Sequence, residues 1–169
     1  MGFSVAIASA IVLIGLIAFA GGTVVSMLYM LDCLATFTNS SASLRQGVQI
    51  DLEVINVTAS TVHFYVKNTG SNTIFLKNQT FNWNSVVVAY NCSGWRSYLI
   101  EDYFVSEIKV QGSNVSFSLS THKFINPGEE AQIDASLPGG APLIPSNEPV
   151  FIVFTSHYGV SASKETVRT

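Results

Sequence analysis

Two patterns of hydrophobic and polar positions divide this chain. From Met1 to Leu31 no charged side chain occurs, and the residues from Phe3 to Met30 are almost continuously apolar. At about 1.5 Å per residue, this stretch exceeds the roughly 30 Å hydrocarbon core of a bilayer, so it predicts one tilted transmembrane helix. After residue 47 the apolar positions recur at every second residue, which is the period of a half-buried β-strand.

The period-two region predicts about nine short strands. Two alternating runs, residues 48–54 and 62–66, are separated by NVTAS and followed by KNTGSN, so they predict an antiparallel pair. Seven further strand candidates follow: Thr73 to Phe81, Ser85 to Tyr90, Tyr98 to Val110, Val115 to Leu119, Ala131 to Leu137, Val150 to His157 and Val160 to Val167. Short strands with Gly, Pro and Asn between them predict an all-β fold, an immunoglobulin-like antiparallel β-sandwich. The stretch Leu137 to Pro149 is too rich in Pro and Gly to pair, and we expect it to cross between the sheets.

The patterns predict three segments: a transmembrane helix at 1–31, a polar stalk at 32–46 and an extracellular β-sandwich domain at 47–169. A cleaved secretory signal is not expected, because it needs a basic start and a shorter apolar core. A pilin-type leader is not expected either, because no Lys or Arg precedes the apolar run. Gly2 does not predict myristoylation, since Ala6 stands where that motif requires a hydroxyl.

The composition narrows the function classes. The chain is 48% hydrophobic and only 11% charged, with a net charge of −3. Typical soluble domains carry about 25% charged residues, so Ser, Thr and Asn must provide the polar surface here. No basic stripe occurs that would neutralise a phosphate backbone, and we therefore expect no nucleic acid among the partners.

Catalytic and metal-binding motifs such as H-E-x-x-H, C-x-x-C and G-x-S-x-G do not occur in the sequence. We therefore expect no enzyme activity, no metal and no cofactor. The titratable side chains that remain are expected at the surface: His63 on the solvated face of a strand, His122 and His157 as surface histidines, and the pairs Glu101-Asp102 and Glu129-Glu130 as edge or loop charges that oppose aggregation.

The N-x-[ST] sequons indicate on which side of the membrane the domain lies. Five sequons follow the helix, at Asn39, Asn56, Asn78, Asn91 and Asn114. About two or three are expected by chance in such a chain, so the excess favours an external glycoprotein domain. We expect a single-pass cell-membrane protein with a cytoplasmic N-terminus and its C-terminal domain in the extracellular or pseudoperiplasmic space. Cys33 and Cys92 leave two alternatives open, a disulfide or two free thiols.

Two groups of residues indicate protein contacts. Gly15, Ala18, Gly22 and Ser26 form a stripe of small residues where a second membrane helix can pack, although small residues are common in such helices. In the domain, the aromatic and Arg-bearing group Trp95, Arg96, Tyr98 and Tyr103 has the composition of interface hot spots, with core packing as the alternative. Trp83 is expected in the core. Edge strands with few Lys residues also favour a homodimer.

The layout of the chain resembles a known family. The opening MGFS runs into an uncharged helix, and a β-region with VKNTGSNTI, PGEEAQI and HYGVSAS follows. Together they resemble the accessory protein F family of the archaellum, the archaeal motility filament. The protein G family of the archaellum has a similar layout, and the MGFS start is the reason to prefer protein F.

The resemblance implies a non-catalytic stator component. Such a subunit is anchored in the membrane, its external β-domain binds the surface-layer protein and dimerises, and it works with archaellum protein G. Two alternatives stay open: an archaellin or pilin-like filament subunit, and a membrane-tethered solute- or glycan-binding module, which should show an aromatic-lined pocket.

Overall fold

One long helix precedes the β-strands of this chain. The computed structural model describes residues 2–77 and 81–169. Its contacts divide the chain into two compact units, Met1–Ser43 and Leu44–Thr169. The helix α1 spans Gly2–Gln46, and within it the segment Ser9–Thr36 is long and apolar enough to cross a bilayer.

The predicted polar stalk is helical, because α1 continues through it to Gln46. The hydroxyls of Thr36 and Thr38 donate to the carbonyl oxygens of Asp32 and Leu34 at 2.9 and 3.0 Å. Threonines that bond the preceding turn in this way are compatible with a helix. The helix therefore does not end where the residues change from apolar to polar after Leu31.

Eleven strands are present in the described part of the domain. Their bounds are β1 Ile50–Val57, β2 Thr61–Asn68, β3 Ile74–Phe75, β4 Ser85–Asn91, β5 Trp95–Ile100, β6 Phe104–Val110, β7 Ser116–Phe117, β8 Phe124–Ile125, β9 Glu129–Ser136, β10 Pro149–Thr155 and β11 Ser161–Val167. They form a five-stranded sheet in the order β1-β2-β9-β6-β7, a four-stranded sheet in the order β11-β10-β4-β5, and the short ribbon β3-β8. Every pairing between strands is antiparallel.

The inner faces of the two sheets share one hydrophobic core. Phe64 from the five-stranded sheet and Tyr90 and Phe154 from the four-stranded sheet are its largest fully buried side chains. In β2, β4 and β10 every second residue is buried, as the period-two pattern predicted. The prediction of an antiparallel β-sandwich behind one N-terminal helix is confirmed.

Two predicted strands differ from the structure. The run Tyr98 to Val110 is divided at residues 101–103, and its halves β5 and β6 belong to different sheets. Tyr103 in this break is only 4% exposed. A large aromatic residue stands at this position because it packs in the core, and not because it belongs to a strand. Among the described residues of the run Thr73 to Phe81, only Ile74–Phe75 pairs as a strand, and its partner β8 is too short to produce a period-two pattern.

The Pro- and Gly-rich segment between β9 and β10 crosses from one sheet to the other, as predicted. Ile144 in this segment is fully buried, and its backbone N–H donates to the carbonyl of Ala59 at 2.8 Å. The Tyr90 hydroxyl donates to the carbonyl of Pro142. Burial raises the pKa of Tyr90 to about 12, so this hydroxyl stays protonated and can donate at neutral pH. The crossing segment is thus fixed to the core at several points.

Candidate protein-interaction site

The two central strands of the four-stranded sheet, β4 and β10, are apolar on their outer face, whereas the edge strand β11 places Ser163 and Glu165 beside them on the same side. The side chains of β4 and β10 alternate between the core and this outer face, yet both strands are hydrophobic at almost every position (SVVVAYN and PVFIVFT). An antiparallel sheet with one solvated face normally alternates apolar and polar residues, whereas continuous apolar runs are typical of strands that are covered on both faces. The composition of β4 and β10 is therefore that of strands covered on both faces.

The register of the strands brings the apolar side chains together. Val87 of β4 lies opposite Leu99 of β5 on one side and opposite Val153 of β10 on the other. Trp95 and Phe151 contact each other with ring centroids 5.5 Å apart. We call this surface the apolar face and define it by six residues that share the outer side of the sheet: Val87, Ala89, Trp95, Leu99, Phe151 and Val153. Trp95 and Leu99 are more than half exposed, at 60% and 54%.

The outer face of the five-stranded sheet is charged. The ammonium of Lys67 pairs with the carboxylate of Glu53 and lies 3.7 Å from Glu130. Lys109 lies 3.2 Å from the other carboxylate oxygen of Glu130, and its Nζ lies 4.1 Å above the Tyr65 ring. These side chains satisfy one another within the same face.

The ion pairs are reflected in the pKa values. The hydrogen bond with Lys67 lowers the pKa of Glu53, and the same bond raises the pKa of Lys67. The hydrogen bond of Lys109 with the Tyr65 hydroxyl, 2.9 Å long, raises the pKa of Lys109. All three groups are therefore charged at neutral pH, as expected for a face in contact with water. The two outer faces of the sandwich thus differ sharply in chemistry.

The four predicted partner-surface residues do not share one surface. Trp95 lies on the apolar face, within the edge strand β5. Tyr98 faces the core side and stacks on Tyr90 with ring centroids 5.8 Å apart. Arg96 is exposed and lies opposite Tyr90 in the pairing with β4. Tyr103 is buried, so its assignment to the partner surface was wrong, and burial raises its pKa to about 12.

A row of aromatic rings at one end of the sandwich was not predicted. Trp83, expected in the core, is 46% exposed and contacts Phe81 with ring centroids 5.3 Å apart. His157 lies 6.1 Å from Trp83 and 5.5 Å from Phe75, measured between ring centroids. Burial lowers the pKa of His157. The Trp83 side chain is therefore held by contacts with other aromatic rings and does not lie in the core.

The other predicted surface charges are partly wrong. Glu129 and Glu130 begin β9, a strand that is paired on both sides, and they are only 8% and 7% exposed. The Glu129 carboxylate lies 2.8 Å from His122 Nε2 and accepts the backbone N–H of Asn126 at 2.7 Å. His63 is on the outer side of its sheet, as predicted, at 2.6 Å from the Asp134 carboxylate. Buried carboxylates need such partners, and sequence spacing alone did not identify them.

The structure distinguishes among the sequon asparagines. Asn56 at the β1 bulge and Asn114 in the β6–β7 turn are exposed. Asn91 is half-buried, and its Oδ1 accepts the backbone N–H of Gly94 at 3.1 Å. Asn39 lies in α1, and Asn78 lies outside the described residues. Asn56 and Asn114 are thus the sequons with the most accessible side chains in the described domain.

The four small residues of the predicted packing stripe are exposed within the helical unit. Gly15, Ala18, Gly22 and Ser26 lie on one stripe of α1, and the Ser26 hydroxyl donates to the Gly22 carbonyl at 2.9 Å. Cys33 is exposed within the helical unit, and Cys92 is partly buried within the domain. Because the two cysteines belong to different units, the choice between a disulfide and two free thiols stays a prediction.

Sequence reasoning missed Phe151 and Val153 as site residues. The signal that could have revealed them is the uninterrupted apolar run of β10, which contrasts with the alternation in β1 and β2. A strand that is apolar on both faces predicts burial on both faces, whether by its own domain or by a partner.

Three solved structures are similar to this chain. The archaellum periplasmic stator complex of FlaF and FlaG from Sulfolobus acidocaldarius matches at 21% identity and a TM-score of 0.46, over 71% of this chain and 88% of that chain. The stator protein FlaG from the same organism matches at 19% and 0.45, over 70% and 100%. The archaeal flagellum of Methanospirillum hungatei matches at 16% and 0.47, over 92% and 90%.

All three solved structures are archaellum proteins. No protein-family model matches the chain, and no curated protein matches it in sequence.

Proposed function

We propose that this chain is a non-catalytic, membrane-anchored stator subunit of an archaellum-type motility machine. Its external domain forms a homodimer through the apolar face and binds the surface-layer protein together with archaellum protein G. The observation that carries the proposal is the apolar face itself. The resemblance in layout to the archaellum protein F family and the apolar span Ser9–Thr36 also support it.

The chemistry of the apolar face favours a second copy as its partner. Homodimer interfaces are more apolar than other protein surfaces, and their centres are depleted of charge. The six residues of the apolar face carry no charge, and Trp95 and Phe151 supply the large aromatic area that is typical of hot spots. A two-fold dimer would place the same face of both copies in contact and remove it from water.

A stator must also transmit force between the membrane and a fixed outer structure. A helix long enough to span the bilayer provides the attachment to the membrane, and the β-domain provides the attachment outside it. The surface-layer protein is the outer structure that the family resemblance implies. With the apolar face covered in a dimer, the ends of the sandwich and the charged face of each copy would stay available for this contact.

Sedimentation of the full-length chain in detergent micelles tests the dimer, and capture of surface-layer protein from solubilised envelopes tests the attachment. The double variant Trp95→Ser, Leu99→Ser removes the exposed part of the apolar face without touching the core. Phe104→Ser is the matched control, because Phe104 is 65% exposed on the opposite sheet. We expect the double variant to weaken dimerisation at least about tenfold, which corresponds to about 1.4 kcal/mol. A monomeric wild-type chain at micromolar concentration, or equal loss in both variants, would contradict the dimer.

The capture step has its own control. The wild-type chain should retain surface-layer protein, whereas a chain of unrelated sequence carrying the same α1 helix should not. Failure of the wild-type chain to retain it would contradict the proposed attachment, even if the dimer forms.

A further inference from the structure

A cleft of about 410 Å³ lies beside the apolar face, at the end of β5 and next to the aromatic row. Its lining includes Phe81, which we call the aromatic wall, and the segment from Leu99 to Asp102, which we call the polar wall. The side chains of Lys77, Asn82, Glu101 and Asp102 also line it. Most of the lining is therefore polar, with Phe81, Leu99 and Ile100 as its apolar members, which is a composition suited to a ligand rich in hydroxyls.

The aromatic wall is held in place. Phe81 is 50% exposed, and its ring contacts Trp83 at 5.3 Å between centroids, with the planes inclined by 55°. The backbone N–H of Trp83 donates to the carbonyl of Leu76 at 3.1 Å, and Lys77 and Asn82 form a β-bridge. These contacts hold Lys77, Asn82 and Trp83, which are close to Phe81 in sequence.

The polar wall is also anchored. Asn82 Nδ2 donates to the carbonyl of Glu101 at 2.8 Å and so ties the two walls of the cleft together. Asn82 Oδ1 is a buried acceptor without a partner among the described residues, which is an energetic cost to the fold. The side chains of Lys77, Glu101 and Asp102 are exposed, and none of them forms an ion pair with another residue in the described part of the chain.

We propose that this cleft binds a neutral sugar residue of a glycan. A hexose ring has an apolar face of C–H groups and a rim of hydroxyls, so it can lie on Phe81 while its hydroxyls bond to Glu101, Asp102 and Asn82. Two carboxylates against one ammonium leave the cleft with net negative charge, which disfavours uronic acids, sialic acids and phosphates. The volume is in the range of pockets that hold small ligands.

The inference deepens the proposed attachment to the cell envelope and rests on that proposal only for the biological source of the sugar. A glycan on the surface-layer protein and the headgroup of a membrane glycolipid would present the same chemistry. Binding through the cleft would leave the apolar face free for the dimer, except at Leu99, which borders both surfaces.

The test is saturation-transfer NMR on the full-length chain in lipid nanodiscs, which avoid detergents with sugar headgroups. The probes are the methyl glycosides of glucose, galactose, mannose and N-acetylglucosamine, with glucuronic acid as the charged comparison. We expect saturation transfer to at least one neutral sugar at millimolar concentration and none to glucuronic acid. Phe81→Ala and Asp102→Ala should each weaken that binding at least tenfold, whereas Phe104→Ala, which removes an exposed ring on the opposite sheet, should leave it unchanged.

Two outcomes would overturn the sugar site: no transfer to any neutral sugar at 10 mM, or binding that Phe81→Ala and Asp102→Ala leave unchanged. Sedimentation of the same samples separates this failure from failure of the proposed function, because the dimer does not require the cleft. Competition of the bound sugar by purified surface-layer glycoprotein or by glycolipid vesicles then identifies the source.

Discussion

Trp95 of β5 and Phe151 of β10 contact each other across β4, with ring centroids 5.5 Å apart and ring planes inclined by 59°. The two rings come from strands that are not neighbours, and both lie on the outer side of the sheet. The small residue Ala89 of β4, opposite Phe151 in the register, belongs to the same outer side. The two large rings and the small residue between them thus form one contiguous apolar surface. Single exposed hydrophobic residues scattered over a domain would not do so.

The segment after β2 provides a sharp test of the fold. A Cβ atom at Gly70 would lie 2.5 Å from the backbone nitrogen of Gln49 and even closer to the carbonyl oxygen of Gly47. Real Cβ atoms do not approach backbone so closely, so Gly70→Ala must displace the chain. We expect a loss of about 1–3 kcal/mol in the free energy of unfolding, measured by chemical denaturation.

Gly139→Ala is the matched control for that substitution. No heavy atom lies within 4 Å of a Cβ at Gly139, and its backbone does not have a positive φ. Its free energy of unfolding should stay within about 0.5 kcal/mol of the wild type. Equal effects of the two substitutions would show that the packing of Gly70 against residues 47–49 is wrong.

Tyr90→Phe should destabilise the domain at neutral pH by about 1–2 kcal/mol, because the half-buried carbonyl of Pro142 would lose its donor. The folded-state pKa of Tyr90, about 12, lies above the unfolded value of about 10. Its contribution to stability is thus present below pH 10 and is lost as the pH rises toward 12. The difference in stability between wild type and variant should shrink over that range.

Tyr158→Phe is the comparison for Tyr90→Phe, since the Tyr158 hydroxyl makes no hydrogen bond to the residues that the structure describes. Thermal unfolding of the two variants at pH 7 and pH 11 provides the measurement. A Tyr90 variant as stable as the Tyr158 variant at pH 7 would contradict the anchoring of the crossing segment.

The sequence predicts those structural features that are determined by neighbouring residues, and it misses those that depend on contacts between distant parts of the chain. Periodicity identified β2, β4 and β10, because alternate burial depends on neighbours within the same strand. Periodicity did not separate β5 from β6. Tyr103, which lies between them, is buried in the core, and in the sequence it continues the hydrophobic pattern of a strand. The pairing of Glu129 with His122 also depends on the tertiary fold.

The site was predicted less completely than the fold. Aromatic composition identified Trp95, but Phe151 lies 56 positions later and only the register through β4 brings the two together. Composition also grouped Tyr98 and Tyr103 with Trp95, although one packs on Tyr90 and the other is buried. The face to which a side chain points is decided by strand parity and sheet order, and neither can be read from residue types alone.

His157→Phe should make the stability of the domain less dependent on pH. Burial lowers the pKa of His157 below the value of about 6.5 that it has in the unfolded chain. The neutral imidazole therefore stabilises the folded state above about pH 6.5, and this contribution is lost as the pH falls through the lower folded-state pKa. Phe preserves the ring contacts with Phe75 and Trp83 but does not take up a proton.

Thermal unfolding between pH 7.5 and pH 5 tests the His157 prediction. The melting temperature of the wild type should fall more steeply than that of His157→Phe as the pH decreases. Parallel curves for the two proteins would show that His157 takes up a proton as easily in the folded state as in the unfolded state.

The proposed function requires two copies of the chain to pair through their apolar faces. Cysteine cross-linking in native membranes tests this pairing directly. In a full-length chain with Cys33→Ser and Cys92→Ser, a single cysteine is introduced by Val87→Cys at the centre of the apolar face or by Phe104→Cys on the opposite sheet, and cells are treated with a short bismaleimide. We expect a cross-linked dimer of the chain from Val87→Cys and none from Phe104→Cys. A dimer band of equal intensity from both positions, or no dimer from Val87→Cys, would contradict it.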